Sequence, residues 1–303
     1  MGKYIVKRVL LAILTVLIIS VVTFAAMNAI PGGPFNKEKA SNPTVIAAME
    51  ARYNLDKPVT QQYFMYMKNI LKGDFGVSLN NGREITTIFK ESFPISAKLG
   101  LSAALLAIVV GIILGSVAAL MRNKWPDRVI VFFVTLITAM PSFVVATLLL
   151  YFFCLKLGLV QAFSAGSTLY VLPVIALSMS PMAYITRLTK TSMLDALGQD
   201  YIRTAKAKGV PQLKVIFVHG LRNALIPVIT YVGPMIAGII TGSMVVESIF
   251  NIGGLGAKFV SSINDRDYTL IMATTIFLAT VMVIANLITD IVYKLVDPRI
   301  KLD

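Results

Sequence analysis

Charged residues are so unevenly placed along the 303 positions that six long stretches carry none. They run from Val9 to Asn36, Leu99 to Met121, Val129 to Leu155, Leu157 to Thr186, Asn223 to Val246, and Tyr268 to Thr289. Each supplies the roughly 20 apolar residues that a helix needs to cross a bilayer. Short strands alternating apolar and polar residues, the mark of a membrane barrel, are absent, so helices are the way to satisfy these backbone groups in lipid. The pattern predicts an all-α polytopic membrane protein with six transmembrane helices, over about 9–30, 99–121, 129–155, 170–186, 225–246 and 269–291.

The first stretch has one feature of a secretory leader, since Lys3, Lys7 and Arg8 precede it. Its apolar run from Val9 to Ile30 is longer than the ~7–15 residues of a leader's core, which predicts a retained anchor. The segment that follows, about Pro31 to Ala97, opens on the helix-stopping Pro31-Gly32-Gly33-Pro34. Within it, Asn42 to Tyr53 and Val59 to Leu71 space their apolar residues by three and four, as short amphipathic helices do. Inside the spans, Gly111 with Gly115 and Gly238 with Gly242 lie four apart, the spacing that lets backbones approach. Pro141 and Pro234 fall mid-span and predict kinks. The fifth span holds the most small and polar residues, and Tyr231, Pro234, Thr241 and Ser243 are its candidates to face a pathway.

The stretch from Arg187 to Arg222 is far longer than topology requires. Leu194, Leu197, Tyr201 and Ala205 share a helical face with Ile202 beside them, while Asp195, Gln199, Arg203 and Lys206 point away. Ser192 with Asp195 reads as a capping box that would start a helix, and Gly209 followed by Pro211 as its stop. The segment, about 192–215, is thus expected to be a helix, a sharp turn and a second helix. Its apolar face offers small residues more than large ones, which suits a protein groove better than a lipid surface. A solvated loop stays open at this point.

Composition sharpens the picture. A mean hydropathy of +0.78 with 14% charged residues excludes an ordinary soluble domain. The net charge of +13 sorts by loop: the N-terminus, the 122–128 loop, the 187–222 loop and the C-terminus hold sixteen basic residues against five acids. That bias puts both ends in the cytoplasm and adds attraction to anionic lipid. No basic, aromatic-rich soluble domain exists to bind nucleic acid. The lone Cys154 sits inside a span and the lone His219 lacks metal-ligand or triad partners, so both read as structural. Glu247 and Asp290 lie near span ends, where capping or snorkelling accounts for them. A secondary transporter would want a deeper acid and an intramembrane enzyme a matched pair of catalytic groups, and neither set of residues is visible.

Residues Arg203 to Gly209, RTAKAKG, resemble the EAA loop of ATP-binding-cassette importer permeases. The longer YIRTAKAKG with HGLRNALIPV after it resembles the oligopeptide and dipeptide branch of that family. KYIVKRVL, PGGPF, LDKPVTQQYFMYMKNILKGDFGVSL, FPISAKLGLSA, PSFVVA, GPMIAGIITGSMVVESIFNIGGLG, NDRDYTLI and DPRIK extend the resemblance over nearly the whole chain. The similarity is to the B-type permease subunit, with the oligopeptide branch fitting better than the dipeptide or nickel branches. Two departures from the general consensus are Arg203-Thr204-Ala205, where Glu-Ala-Ala would stand, and the His219–Arg222 ending.

The resemblance implies a type I (MetI-like) permease core over about 93–295, an anchor and extracytoplasmic segment over 1–92, and a cytoplasmic tail over 296–303. It implies a mechanical part and not an enzyme. The coupling helix would seat Tyr201, Ile202, Arg203, Thr204, Ala205, Lys206 and Gly209 in a cytoplasmic ATPase subunit, with Tyr201 and Ile202 as apolar anchor. Implied partners are a homologous C-type permease subunit, two ATPases, an extracytoplasmic peptide-binding protein and the peptide itself. The chain has no phosphate-binding GxxxxGK[ST] loop, so ATP and magnesium belong to the ATPases.

Overall fold

In the computed structural model, residues 2–30, 54, 56–159 and 170–296 are described, and their regular elements are helical apart from a single antiparallel bridge between Val77 and Glu84. The predicted turn at Pro31–Pro34, the predicted helix at Asn42–Tyr53 and the 297–303 part of the tail lie outside them. In chain order the helices are α1 (Gly2–Ala29), α2 (Val59–Ile70), α3 (Ile85–Leu120), α4 (Trp125–Ala139) and α5 (Ser142–Leu149), which continues as a π-helix over Leu150–Lys156. Then come α6 (Val171–Leu197), α7 (Asp200–Ala207), α8 (Gln212–Lys214), a π-helical segment over Val215–Leu221 and α9 (Arg222–Ile240). The last three are α10 (Met244–Ile249), α11 (Leu255–Asn264) and α12 (Tyr268–Val296).

Five stretches are long and apolar enough to cross a membrane, and a sixth crossing exists if α4 and the helix from Ser142 to Lys156 count as one span. That third span is where expectation and structure differ most. Instead of a kink at Pro141, the two halves meet at 108°. The cause is local, because a proline ring disfavours helical geometry in the residue before it. Met140 takes φ −93° and ψ 133°, and Pro141 then starts the next helix.

The fifth span is also broken. α9 ends at Ile240, and Gly242 at φ +98° turns the chain before Ser243 caps α10 by accepting a hydrogen bond from the Val246 amide. Gly238 faces open space and Gly242 serves the turn, so this glycine pair is not a packing seam. The second and fourth spans run longer than expected: α3 begins at Ile85 and carries Pro94 inside it, and α6 passes through Thr186 to Leu197. Ser192 is therefore interior to α6 and caps nothing, since the amides near it are already bonded within the helix.

The chain divides into two compact units. The first holds α1, α2, α3 up to Ile95, α11 and α12 up to Ile284. One cluster there joins Ile85, Ile88 and Phe89 to Leu255, Leu270 and Ala273, with Phe277 tilted over Phe89 at 4.6 Å between ring centres. A second cluster sets Met27 of α1 against Tyr268, Ile271, Met272 and Ile276, while Ser20 hydrogen-bonds the Tyr63 hydroxyl at 2.8 Å. Between the spans this packing is held by close van der Waals fit, because lipid tails are as apolar as the side chains themselves. Tyr66 donates to the Thr269 carbonyl, and burial pushes its phenol above the usual range, with Asp267 and Asp74 adding to the effect.

Asp267 ties this unit together. Its carboxylate accepts hydrogen bonds from the Ser78 hydroxyl, the Leu79 and Asn80 amides, and the Leu270 amide in the first turn of α12. It is a helix cap and a loop clamp at once.

The second unit holds α3 from Ser96, α4 to α10, and the end of α12 from Ala285. Gly111 and Gly115 do form a seam: a Cβ on Gly111 would meet Ile185 Cγ2 at 2.8 Å, and one on Gly115 would meet the Thr186 carbonyl at 2.6 Å. Gly233 approaches Thr289 more closely still. Asp127 accepts from the Asn123 amide at 3.0 Å and pairs with Lys190 of α6. Glu247 is fully buried and accepts from the Ser96 hydroxyl at 2.8 Å, so it is held inside the protein and does not snorkel to water.

Candidate coupling hairpin

α6 stops at Gly198, Gln199 takes extended geometry as the N-cap, and α7 begins at Asp200. Asp200 in the first turn and Lys206 in the last both suit the helix dipole. α7 ends in a Schellman motif. The Val210 amide bonds the Ala205 carbonyl at 3.2 Å, the Gly209 amide bonds the Lys206 carbonyl at 3.0 Å, and Gly209 sits at φ +73°. Pro211 then starts α8, so the helix, turn and second helix are present, with the first helix shorter than the sequence suggested.

The hairpin has its own small core. Ile202 and Ala205 pack on Val215, with half-buried Leu197 and Val210 closing the sides. Ile202 is 1% exposed and Tyr201 41%, so the pair does not act as one apolar anchor. A residue one position along a helix turns by ~100°, and here that rotation carries Tyr201 out while Ile202 points in. What remains outside is Tyr201, Arg203, Thr204, Lys206, Ala207, Lys208 and Gly209. This face is basic, and the ion pair on it, Arg203 with Asp200 at 3.6 Å, lies in solvent where such pairs contribute little.

The π-helical segment Val215–Leu221 leads from the hairpin into α9. Gly220 lies there against Leu197, where a Cβ would meet Leu197 Cδ2 at 2.9 Å. His219 is half-buried, and its carbonyl accepts from Asn223.

The pathway candidates are spread along α9 and its end. Tyr231 stacks on Tyr184 of α6 with 4.2 Å between ring centres, and Pro234 is exposed. Thr241 closes α9, and Ser243 caps α10. Asp290 and Cys154 are half-buried. The Asp267 clamp and the Asp127–Lys190 pair join residues far apart along the chain, so they leave no local signal in the sequence. Arg187, a topology signal in the sequence, stands among exposed residues that recur at helical spacing.

Residues 111–302 match the family described as binding-protein-dependent transport system inner membrane component, and residues 1–100 match its N-terminal family. The chain belongs to this family. Relatives align end to end. It is 45% identical over 304 residues to the dipeptide transport system permease protein DppB of Bacillus subtilis, covering 100% of this chain and 99% of that one. Identity is 42% over 305 residues to the oligopeptide transport system permease protein OppB of Haemophilus influenzae, covering 99% and 100%. The fold is similar to a chain of a crystal structure of an amino acid ABC transporter with histidines. The TM-score is 0.55 at 17% identity, over 71% of this chain and 95% of that one. This inner membrane component is thus a multi-pass transport subunit and not an enzyme, and it works in a membrane complex with other ABC subunits.

Proposed function

We propose that this chain is the permease subunit of an ATP-driven importer that moves peptides across the bacterial cytoplasmic membrane. The observation that carries the reading is full-length identity of 40% and above to permeases named for dipeptide and oligopeptide transport. Both kinds of relative align end to end, so the substrate class is peptides of either length. The core over 93–295 pairs with a homologous C-type subunit, and together they enclose the path. An extracytoplasmic binding protein delivers the peptide, and two ATPases hold ATP and magnesium. Both termini face the cytoplasm, as the basic loops favour.

The exposed basic side of α7 is the part that meets an ATPase, with Tyr201, Arg203, Thr204 and Lys206 in contact. Ile202 and Ala205 support that helix from behind, and Gly209 ends it. The test is uptake of labelled peptide by the reconstituted complex, with and without ATP. In a Cys154→Ser background, Lys206→Cys is expected to cross-link to the ATPase. Uptake that persists without the ATPases overturns the reading, as does a Lys206→Cys protein that cross-links to nothing.

A further inference from the structure

On α6 the exposed residues Ser180, Tyr184, Arg187 and Thr191 recur at steps of four, three and four, and so share one face. On α9, exposed Thr230 and Pro234 lie beside Tyr231, which stacks on Tyr184. Ionisable side chains on membrane helices face the bundle interior or a water-filled cavity and turn away from lipid.

Arg187 is the cation in that stripe, and its direction is informative. Lys190 pairs with Asp127 near the start of α4, whereas one turn away Arg187 donates to Thr138 Oγ1 at 3.3 Å, near the end of α4. Those two partners are eleven residues apart, about 16 Å along a helix. The two side chains therefore extend in opposite directions. Lys190 runs to the basic loop, as snorkelling side chains do, and Arg187 runs inward to the bend at Met140–Pro141. Among the described residues no carboxylate pairs with this guanidinium, and it is exposed.

We propose that Arg187 receives the terminal carboxylate of the peptide in transit, and that it makes the passage prefer peptides with a free C-terminus. A guanidinium matches a carboxylate with two parallel hydrogen bonds, an arrangement an amide cannot reproduce. The Tyr184–Tyr231 pair offers a flat surface beside it for the peptide's backbone. This inference rests on the reading of the chain as a peptide permease.

The test uses the full complex in vesicles of zwitterionic lipid, which removes anionic headgroups as competitors, with the binding protein saturated so that its own preference drops out. Uptake of trialanine is compared with uptake of trialanine amide. The wild type is expected to favour the free acid about tenfold, Arg187→Gln to bring the two rates together, and Arg187→Lys to keep part of the preference. Equal rates in the wild type overturn the proposal, as does a wild-type ratio in Arg187→Gln. Failure of both variants to assemble makes Arg187 structural and overturns it too. A wild-type complex that moves neither compound shows that the peptide reading itself has failed.

Discussion

The carboxylate of Asp267 holds the hydroxyl of Ser78, 189 positions away in the chain, while also capping the helix that follows it. Asp267→Ala leaves that hydroxyl and up to three amides without their acceptor. The expected loss is about 2–4 kcal/mol, since hydrogen bonds to a charged group are worth more than neutral ones. Thermal unfolding in detergent measures it, and Asp267→Asn should lie between the variant and the wild type.

Gly233 lies where any side chain would run into Thr289. Gly233→Ala is expected to destabilise by about 1–3 kcal/mol through overpacking. Adding Thr289→Ala removes the obstructing methyl and hydroxyl and should restore most of that loss. Chemical denaturation of the two single variants and the double variant gives the coupling. Additive losses would mean the helices do not meet at this point.

Gly209 has a positive φ but open space around it. The cost of a side chain there comes from the backbone alone, about 1–2 kcal/mol, and hardly depends on size. Gly209→Ala and Gly209→Leu should therefore behave alike, with Gly209→Asn milder. Hydrogen exchange of the α7 amides reads the effect, expected as roughly tenfold faster exchange in the first two variants. A much worse outcome for leucine than for alanine would contradict the open geometry.

Neighbouring positions 201 and 202 should separate stability from association. Ile202→Ala hollows the hairpin core and is expected to cost about 2–4 kcal/mol locally. Tyr201→Ala should leave unfolding within about 0.5 kcal/mol of wild type and weaken retention of the ATPases in pull-down. The reverse pattern would put Tyr201 in the core and Ile202 at the contact.

Much of the architecture could be read from charge spacing, because excluding charged groups from hydrocarbon is a strong local constraint. The Gly111–Gly115 seam and the Gly209 stop were legible for similar reasons, as each is a residue type with one main use. Spans broken at Met140 and Thr241 were not, since hydropathy measures how apolar a stretch is and is indifferent to its direction. The inward turn of Ile202 was missed because Leu194 and Leu197 were placed on the same helix as Tyr201. The chain breaks at Gly198–Gln199, which resets the helical phase. The burial of Glu247 was not legible because its partner, Ser96, comes from a distant helix.

The near right angle at Met140–Pro141 divides one apolar run into two short helices. Each half of that pair has 15 residues, about 22 Å of helix against a hydrocarbon layer of about 30 Å. Neither piece alone is long enough to span that layer as a helix. Both halves pack against α6, which is synthesised later. The bent shape of this part of the chain therefore leans on a helix that follows it in the sequence.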